Sequence, residues 1–154
     1  MELAKDFLDF IDLLNIHKVD YLVVGGYAMG FHGSPRYTGD LDIWIGISED
    51  NALKMISVIN EFGFDSLGLK KEDFLKKGYI TQIGYPPLRI DILNDIDGVT
   101  FDDASKNMRT LVTNNIKVNY IGFSDLVKNK KATGRDKDII DIKSLNKVKS
   151  KGSK

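Results

Sequence analysis

Apolar positions along this chain follow two different periods, and the switches between them mark out the elements. Leu3, Phe7, Phe10, Ile11 and Leu14 recur at helical spacing with Asp6, Asp9 and Asp12 between them, which predicts an amphipathic helix over 3–16 whose aromatic stripe is core. Tyr21-Leu22-Val23-Val24 is a short apolar run of the buried-strand kind. Gly25-Gly26 follows, then a short helix over 27–31. Residues 40–45 read as a strand bounded by Gly39 and Gly46. Ser48-Glu49-Asp50 opens a second long helix to about residue 61, with Ala52, Met55, Ile56 and Ile59 inward and Gly63 ending it.

The second half reads the same way. A short helix is expected at 72–76. Residues 79–83 and 88–93 predict antiparallel strands joined across Gly84-Tyr85-Pro86-Pro87. Residues 109–113 and 116–120 predict another pair around Asn114-Asn115. Ser124 is the expected N-cap of a helix over 124–131, and 135–147 predicts the last helix, with Ile139, Ile142 and Leu145 as its apolar stripe. There is no internal repeat and no linker. The expectation is an α/β (α+β) fold, a mixed β-sheet flanked by helices. A single domain would cover 1–148, followed by a basic, disordered tail at 149–154.

Composition narrows the class. At 154 residues the chain can bury a core, and 42% hydrophobic with 29% charged residues is ordinary for a soluble globular domain. There are no cysteines, which excludes disulfides and thiolate zinc sites. No run approaches the ~20 apolar residues of a membrane span. Met1-Glu2-Leu3-Ala4-Lys5-Asp6 lacks the regions of a signal peptide, so a cytoplasmic location is expected. The net charge of zero conceals an asymmetry: residues 1–127 hold 12 basic and 19 acidic side chains, residues 128–154 hold 10 and 3. A basic terminal segment can meet the phosphates of a nucleotide or RNA, or simply be a solvated helix.

The chemistry concentrates in three places. Asp40 and Asp42 lie two apart on one predicted strand, so both carboxylates share a face. Like charges that close conflict unless a cation intervenes, and hard Mg²⁺ suits one or two carboxylates plus phosphate oxygens. Gly25-Gly26 sits between a strand and a helix, where backbone N–H groups can face an anion and glycine lets it approach. Asp91 lies between two isoleucines in a β run, where a buried charge needs a partner or a metal and a solvent-facing one does not. Among flanking residues, Arg36 could contact a polyphosphate, and Lys130 and Arg135 flank Thr133-Gly134. His32 has only His17 for company in the whole chain, so a histidine metal cluster is excluded. Asp138 and Asp141 could simply pair with nearby cations. Tyr27 and Trp44 could border a base, although core packing suits Trp44 better.

Gly25-Gly26, Asp40/Asp42 and Asp91 together resemble the nucleotidyltransferase superfamily that includes DNA polymerase β. The stretches Val24-Gly25-Gly26-Tyr27-Ala28, His32-Gly33-Ser34-Pro35-Arg36, Thr38-Gly39-Asp40-Leu41-Asp42-Ile43 and Ala132-Thr133-Gly134-Arg135-Asp136-Lys137-Asp138 resemble a narrower group. That group is the AbiEii-like bacterial minimal nucleotidyltransferases, many of them toxins of toxin–antitoxin pairs. The resemblance implies transfer of an NMP from an NTP, such as ATP, to a hydroxyl acceptor. It implies two Mg²⁺ (or Mn²⁺) ions roughly 3.5–4 Å apart on Asp40, Asp42 and Asp91. It also implies nucleotide contacts from Gly25, Gly26, Arg36, Thr38, Lys130 and Arg135. An RNA acceptor such as a tRNA 3′ end, an antitoxin partner and no membrane association complete the picture. A protein or small-molecule acceptor stays open. Gly26 departs from the wider superfamily, where a serine at that point helps hold the phosphates. Two rival readings remain: a non-catalytic nucleotide- or partner-binding module, and a metal-dependent nuclease.

Overall fold

The computed structural model describes residues 3–152. Along the chain run α1 (Lys5–Ile16), β1 (Tyr21–Val24), α2 (Gly25–Phe31), β2 (Asp40–Ile45), α3 (Glu49–Ile59), α4 (Lys71–Leu75), β3 (Thr81–Ile83), β4 (Arg89–Leu93), α5 (Phe101–Lys106), β5 (Arg109–Thr113), β6 (Ile116–Tyr120), α6 (Phe123–Thr133) and α7 (Asp136–Gly152). The strands form one mixed sheet in the order β3-β4-β2-β1-β6-β5. β2 and β4 are parallel, as are β1 and β6, and the remaining neighbours are antiparallel. Helices flank the sheet, so the expected mixed α/β architecture holds.

Burial explains why these segments take these forms. β1 is buried at all four positions and sits near the middle of the sheet, where an unbroken apolar run belongs. Phe7, Phe10, Ile11 and Leu14 are at most 1% exposed, and α1 packs on β6 and α3. Ser48 caps α3, its hydroxyl accepting from the Asn51 N–H at 3.0 Å. Asn51, itself buried, ties the ends of β1 and β2 together. It accepts from the Asp20 N–H at 2.8 Å and donates to the Asp20 and Gly46 carbonyls at 3.1 and 2.8 Å. Asn114 and Asn115 take φ of 50° and 66° in the β5–β6 turn, the left-handed pair a two-residue hairpin requires.

Several expectations change. The helical run opened at Ser48 breaks at Gly63 as expected, since that glycine leaves helical geometry at φ 102° in a π-type turn (Asn60–Phe64) after α3, but a 3₁₀ turn (Asp65–Leu67) follows and ends at Gly68 in the left-handed region. The strand expected from 79 begins at Thr81, with Tyr79 and Ile80 exposed. α5 is an addition to the expected elements, although Thr100 caps it by accepting from the Asp103 N–H. Gly122, not Ser124, is the N-cap of α6.

The largest change is on α7. Ile139 is 47% exposed, and the buried positions are Asp138, Asp141 and Leu145. The helix buries carboxylates because cations meet them: Lys130, from α6, lies 2.8 Å from Asp141 and 3.5 Å from Asp138, and Arg135, just before the helix, donates to Asp138 at 2.8 Å. α7 also runs to Gly152, into the stretch expected to be a tail. Residues 1–2 and 153–154, including the last of that stretch, lie outside the described residues.

Candidate active site

The registry of β1, β2 and β4 assembles the three aspartates. Val24 is the cross-strand partner of Asp42, so the chain leaves β1 into Gly25 beside the Asp42 carboxylate. On the other side of β2, Asp42 pairs with Asp91 and Asp40 with Arg89. Alternation keeps Asp40, Asp42, Arg89 and Asp91 on one face, while Leu41 and Ile43 on β2 and Ile90 and Ile92 on β4 are buried.

Gly25 is required by this contact. Its φ is 68°, and a Cβ there would come within 2.1 Å of Asp42 Oδ2. At Gly26 a Cβ would lie 2.7 Å from the Thr38 Cβ and 2.8 Å from the Thr38 hydroxyl. The space a side chain at 26 would take is therefore filled by Thr38, whose hydroxyl donates to the Asp40 carbonyl at 3.2 Å. Thr38 thus stands against the glycine turn, next to the first aspartate.

Electrostatics single out Asp42. Burial, then the nearby Asp91 and Asp40 charges, push its carboxyl up to about 7, while Arg89 and Lys137 pull in the opposite direction. Arg89 donates from Nε to Asp91 Oδ1 at 2.9 Å, and from one terminal nitrogen to Asp40 Oδ2 at 2.6 Å and Asp91 Oδ2 at 3.1 Å. Sequence reading missed Arg89, although its spacing of two from Asp91 put it on the same strand face. It also gave no role to Lys137, an exposed cation on the first turn of α7.

The remaining nucleotide-contact candidates divide. Arg36 Nε is 3.4 Å from Asp141 Oδ1 and has no hydrogen-bond partner among the described residues, while 37% of its side chain is exposed. Lys130 is enclosed, its side chain 5% exposed between two buried carboxylates. Arg135 caps its own helix through Asp138, with 57% of its side chain exposed. His32 donates from Nε2 to the Ile121 carbonyl at 2.7 Å, and burial lowers its pKa. Trp44 is 1% exposed, edge-on to Phe101, so it packs the core. Tyr27 is edge-on to Phe7. The aromatic left exposed in the loop before Asp40 is Tyr37, at 88%.

Asp40, Asp42 and Asp91 lie on one face of neighbouring strands and could supply oxygen donors of the kind hard divalent cations take. Among the described residues, however, no three acidic or histidine side chains are drawn together as a finished metal cage. Arg89 stands between two of these three.

The fold is that of nucleotidyltransferases. No family model matches the sequence, and no curated protein matches it either. Solved structures do. The candidate nucleotidyltransferase TM1012 from Thermotoga maritima aligns over 94% of this chain and 91% of its own, at 17% identity and TM-score 0.57. The lincosamide antibiotic adenylyltransferase LnuA, solved with lincomycin bound, aligns over 95% of this chain and 98% of its own, at 14% identity and TM-score 0.57. An antigenic nucleotidyltransferase-like protein from Paracoccidioides brasiliensis aligns over 93% and 77%, at 18% identity and TM-score 0.53. At these identities the likeness is one of fold. No helix of the described residues is long and apolar enough to cross a membrane.

Proposed function

We propose that this chain is a nucleotidyltransferase that moves an NMP from an NTP to a hydroxyl acceptor. The observation that carries the reading is the aspartate triad: Asp42 is cross-strand to Asp91, shares a face with Asp40, and is pressed against the glycine turn that ends β1. A binding module has little need for three carboxylates on one sheet face whose mutual repulsion helps raise one of them to about 7. The glycine turn beside them favours a polyphosphate substrate over simple phosphodiester cleavage.

In this reading Asp40, Asp42 and Asp91 hold Mg²⁺ or Mn²⁺. The bound cation supplies charge neutralisation on the triphosphate and lowers the pKa of the acceptor hydroxyl. Gly25 and Gly26 let the outer phosphates approach the backbone. The Thr38 hydroxyl stands where a side chain at 26 would project, and so supplies a polar group at that spot. Arg36 and Lys137 supply positive charge toward the phosphates, and Tyr37 an exposed ring for the base. Lys130 and Arg135 act through α7: by neutralising Asp138 and Asp141 they fix the helix that carries Lys137.

RNA is the first acceptor to test, in line with the resemblance to the toxins of toxin–antitoxin pairs, which also makes an antitoxin the first protein partner to test. A small-molecule acceptor is the second reading, supported by the likeness to an antibiotic adenylyltransferase of which 98% is covered. The deciding experiment is transfer of label from each α-³²P-NTP with Mg²⁺ to total RNA and, in parallel, to lincosamides and aminoglycosides. Labelled product absent from the Asp40→Ala/Asp42→Ala double variant supports the transferase, and the labelled species names the acceptor class. Metal-dependent NTP binding without pyrophosphate release would leave a binding module, and RNA shortening would make it a nuclease.

A further inference from the structure

Arg89 is placed where a cation belongs. It pairs across the strands with Asp40 and lies two residues before Asp91 on the same face. Its guanidinium takes one oxygen of Asp40 and both oxygens of Asp91, at 2.6, 2.9 and 3.1 Å. These hydrogen bonds go to the outer two carboxylates, so the fork neutralises them and leaves Asp42, the central one, under-compensated. Any ion that uses Asp91 must take an oxygen that Arg89 already holds. The arginine also has somewhere to go, since 29% of its side chain is exposed.

We propose that Arg89 is an intramolecular place-holder for the metal: in the metal-free protein its guanidinium bridges Asp40 and Asp91, and a divalent cation enters by displacing it outward. This rests on the triad being a metal site, as read above. The device has two consequences. Without it, carboxylates from adjacent strands would repel across the sheet, so Arg89 keeps β2 and β4 in their working register before metal enters. With it, metal affinity is reduced by the fraction of molecules in which the arginine is seated, because only the open fraction binds. Once turned out, the planar fork is suited to two phosphate oxygens, so metal entry and phosphate capture become one motion. Arg89 is therefore a positioning residue, and removing it should strengthen metal binding rather than weaken it.

Calorimetric titration with Mn²⁺ alone tests this on the full chain, comparing wild type, Arg89→Met and Arg89→Lys, with Asp42→Asn as the ligand-deficient control. Methionine keeps the unbranched stem and removes every donor. Lysine keeps the charge but, as a compact ammonium, replaces the planar fork with a point contact. Arg89→Met is expected to bind Mn²⁺ about tenfold or more tightly than wild type, with Arg89→Lys between them, and to melt at a lower temperature than wild type in EDTA. A purely structural arginine would lower the melting temperature without tightening the metal. Equal or weaker Mn²⁺ binding in Arg89→Met, with wild type still binding, overturns the place-holder and leaves the metal site standing. If neither wild type nor either variant binds Mn²⁺ up to millimolar concentration, both ideas fall together. Should Arg89→Met not fold, the order of wild type and Arg89→Lys decides: tighter binding in the lysine variant supports the proposal, and equal or weaker binding overturns it.

Discussion

Replacing Asp42 by asparagine should change how the stability of the metal-free protein responds to pH. The Asp42 carboxyl sits at about 7 in the folded chain against an ordinary 3.8, raised by burial and by the charges of Asp91 and Asp40. Its folded pKa lies above its unfolded one, so between those values the folded state binds the proton better. The stability linked to that proton is full below pH 3.8 and is lost as pH rises through about 7. With one pKa unit equal to about 1.4 kcal/mol, the linkage amounts to about 3 kcal/mol between pH 5 and pH 8.5. For a chain of this size that is a fall of about 6–12 °C in melting temperature. The asparagine amide cannot ionise, so this component vanishes while every other titration is retained. The assay is thermal or urea unfolding of wild type and Asp42→Asn in EDTA, stepped from pH 5 to pH 8.5. The variant should gain on wild type most steeply from pH 5 to about 6, at about 1.4 kcal/mol per pH unit, and the gain should level off as pH passes about 7. A stability difference that stays flat across that range would refute the raised carboxyl and the crowding of the triad behind it.

Four further substitutions, one of them a control, probe how the site is held. Gly25→Ala and Gly68→Ala share a left-handed backbone, at φ 68° and 62°, but only the first drives a Cβ into the Asp42 carboxylate. Strain alone costs about 1–2 kcal/mol, so Gly25→Ala should lose clearly more in urea denaturation than Gly68→Ala, and transferase activity with it; equal losses would mean the contact is unimportant. Lys130→Met leaves Asp138 and Asp141 buried with one cation fewer and should cost about 3 kcal/mol at pH 7. A loss under about 1 kcal/mol in equilibrium unfolding would show that Arg135 and Arg36 already suffice. Asn51→Ala removes three hydrogen bonds to the backbone, although the Asp20 carbonyl still accepts from the Gly46 N–H, and should cost about 2–3 kcal/mol, read as a fall in urea midpoint with unchanged slope.

What can be read from the sequence is what short-range periodicity encodes. α1, β1, β2, β4 and the β5–β6 hairpin are each specified by residues a few positions apart, so alternation and helical spacing locate them. The pairing of Asp40 with Asp42, and the suspicion attached to Asp91 and to Gly25-Gly26, come from the same local rules together with a resemblance carried on those motifs. That Asp42 and Asp91 stand in register is a property of the parallel pairing of β2 with β4, segments far apart along the chain. No local pattern contains that pairing.

The misreadings share one cause. Ile139 looks like core on α7 because apolar residues usually face inward, but a helix buries whichever face its neighbours can satisfy. Here Lys130 and Arg36 arrive from other segments, Arg135 joins them from just before the same helix, and Asp138 and Asp141 are buried beside Leu145. Lys130 looks like a phosphate contact for the same reason: its charge is visible in the sequence, while the two carboxylates that enclose it are not adjacent to it. Arg89 has the right spacing to be noticed, but it passes for an ordinary strand residue until Asp40 stands across the ladder from it. Residue types and local elements were therefore determined by the sequence itself. The partners of each charge, and hence which groups can meet a ligand, were decided only when distant segments packed, because Coulomb and desolvation energies depend on distances in space and not along the chain.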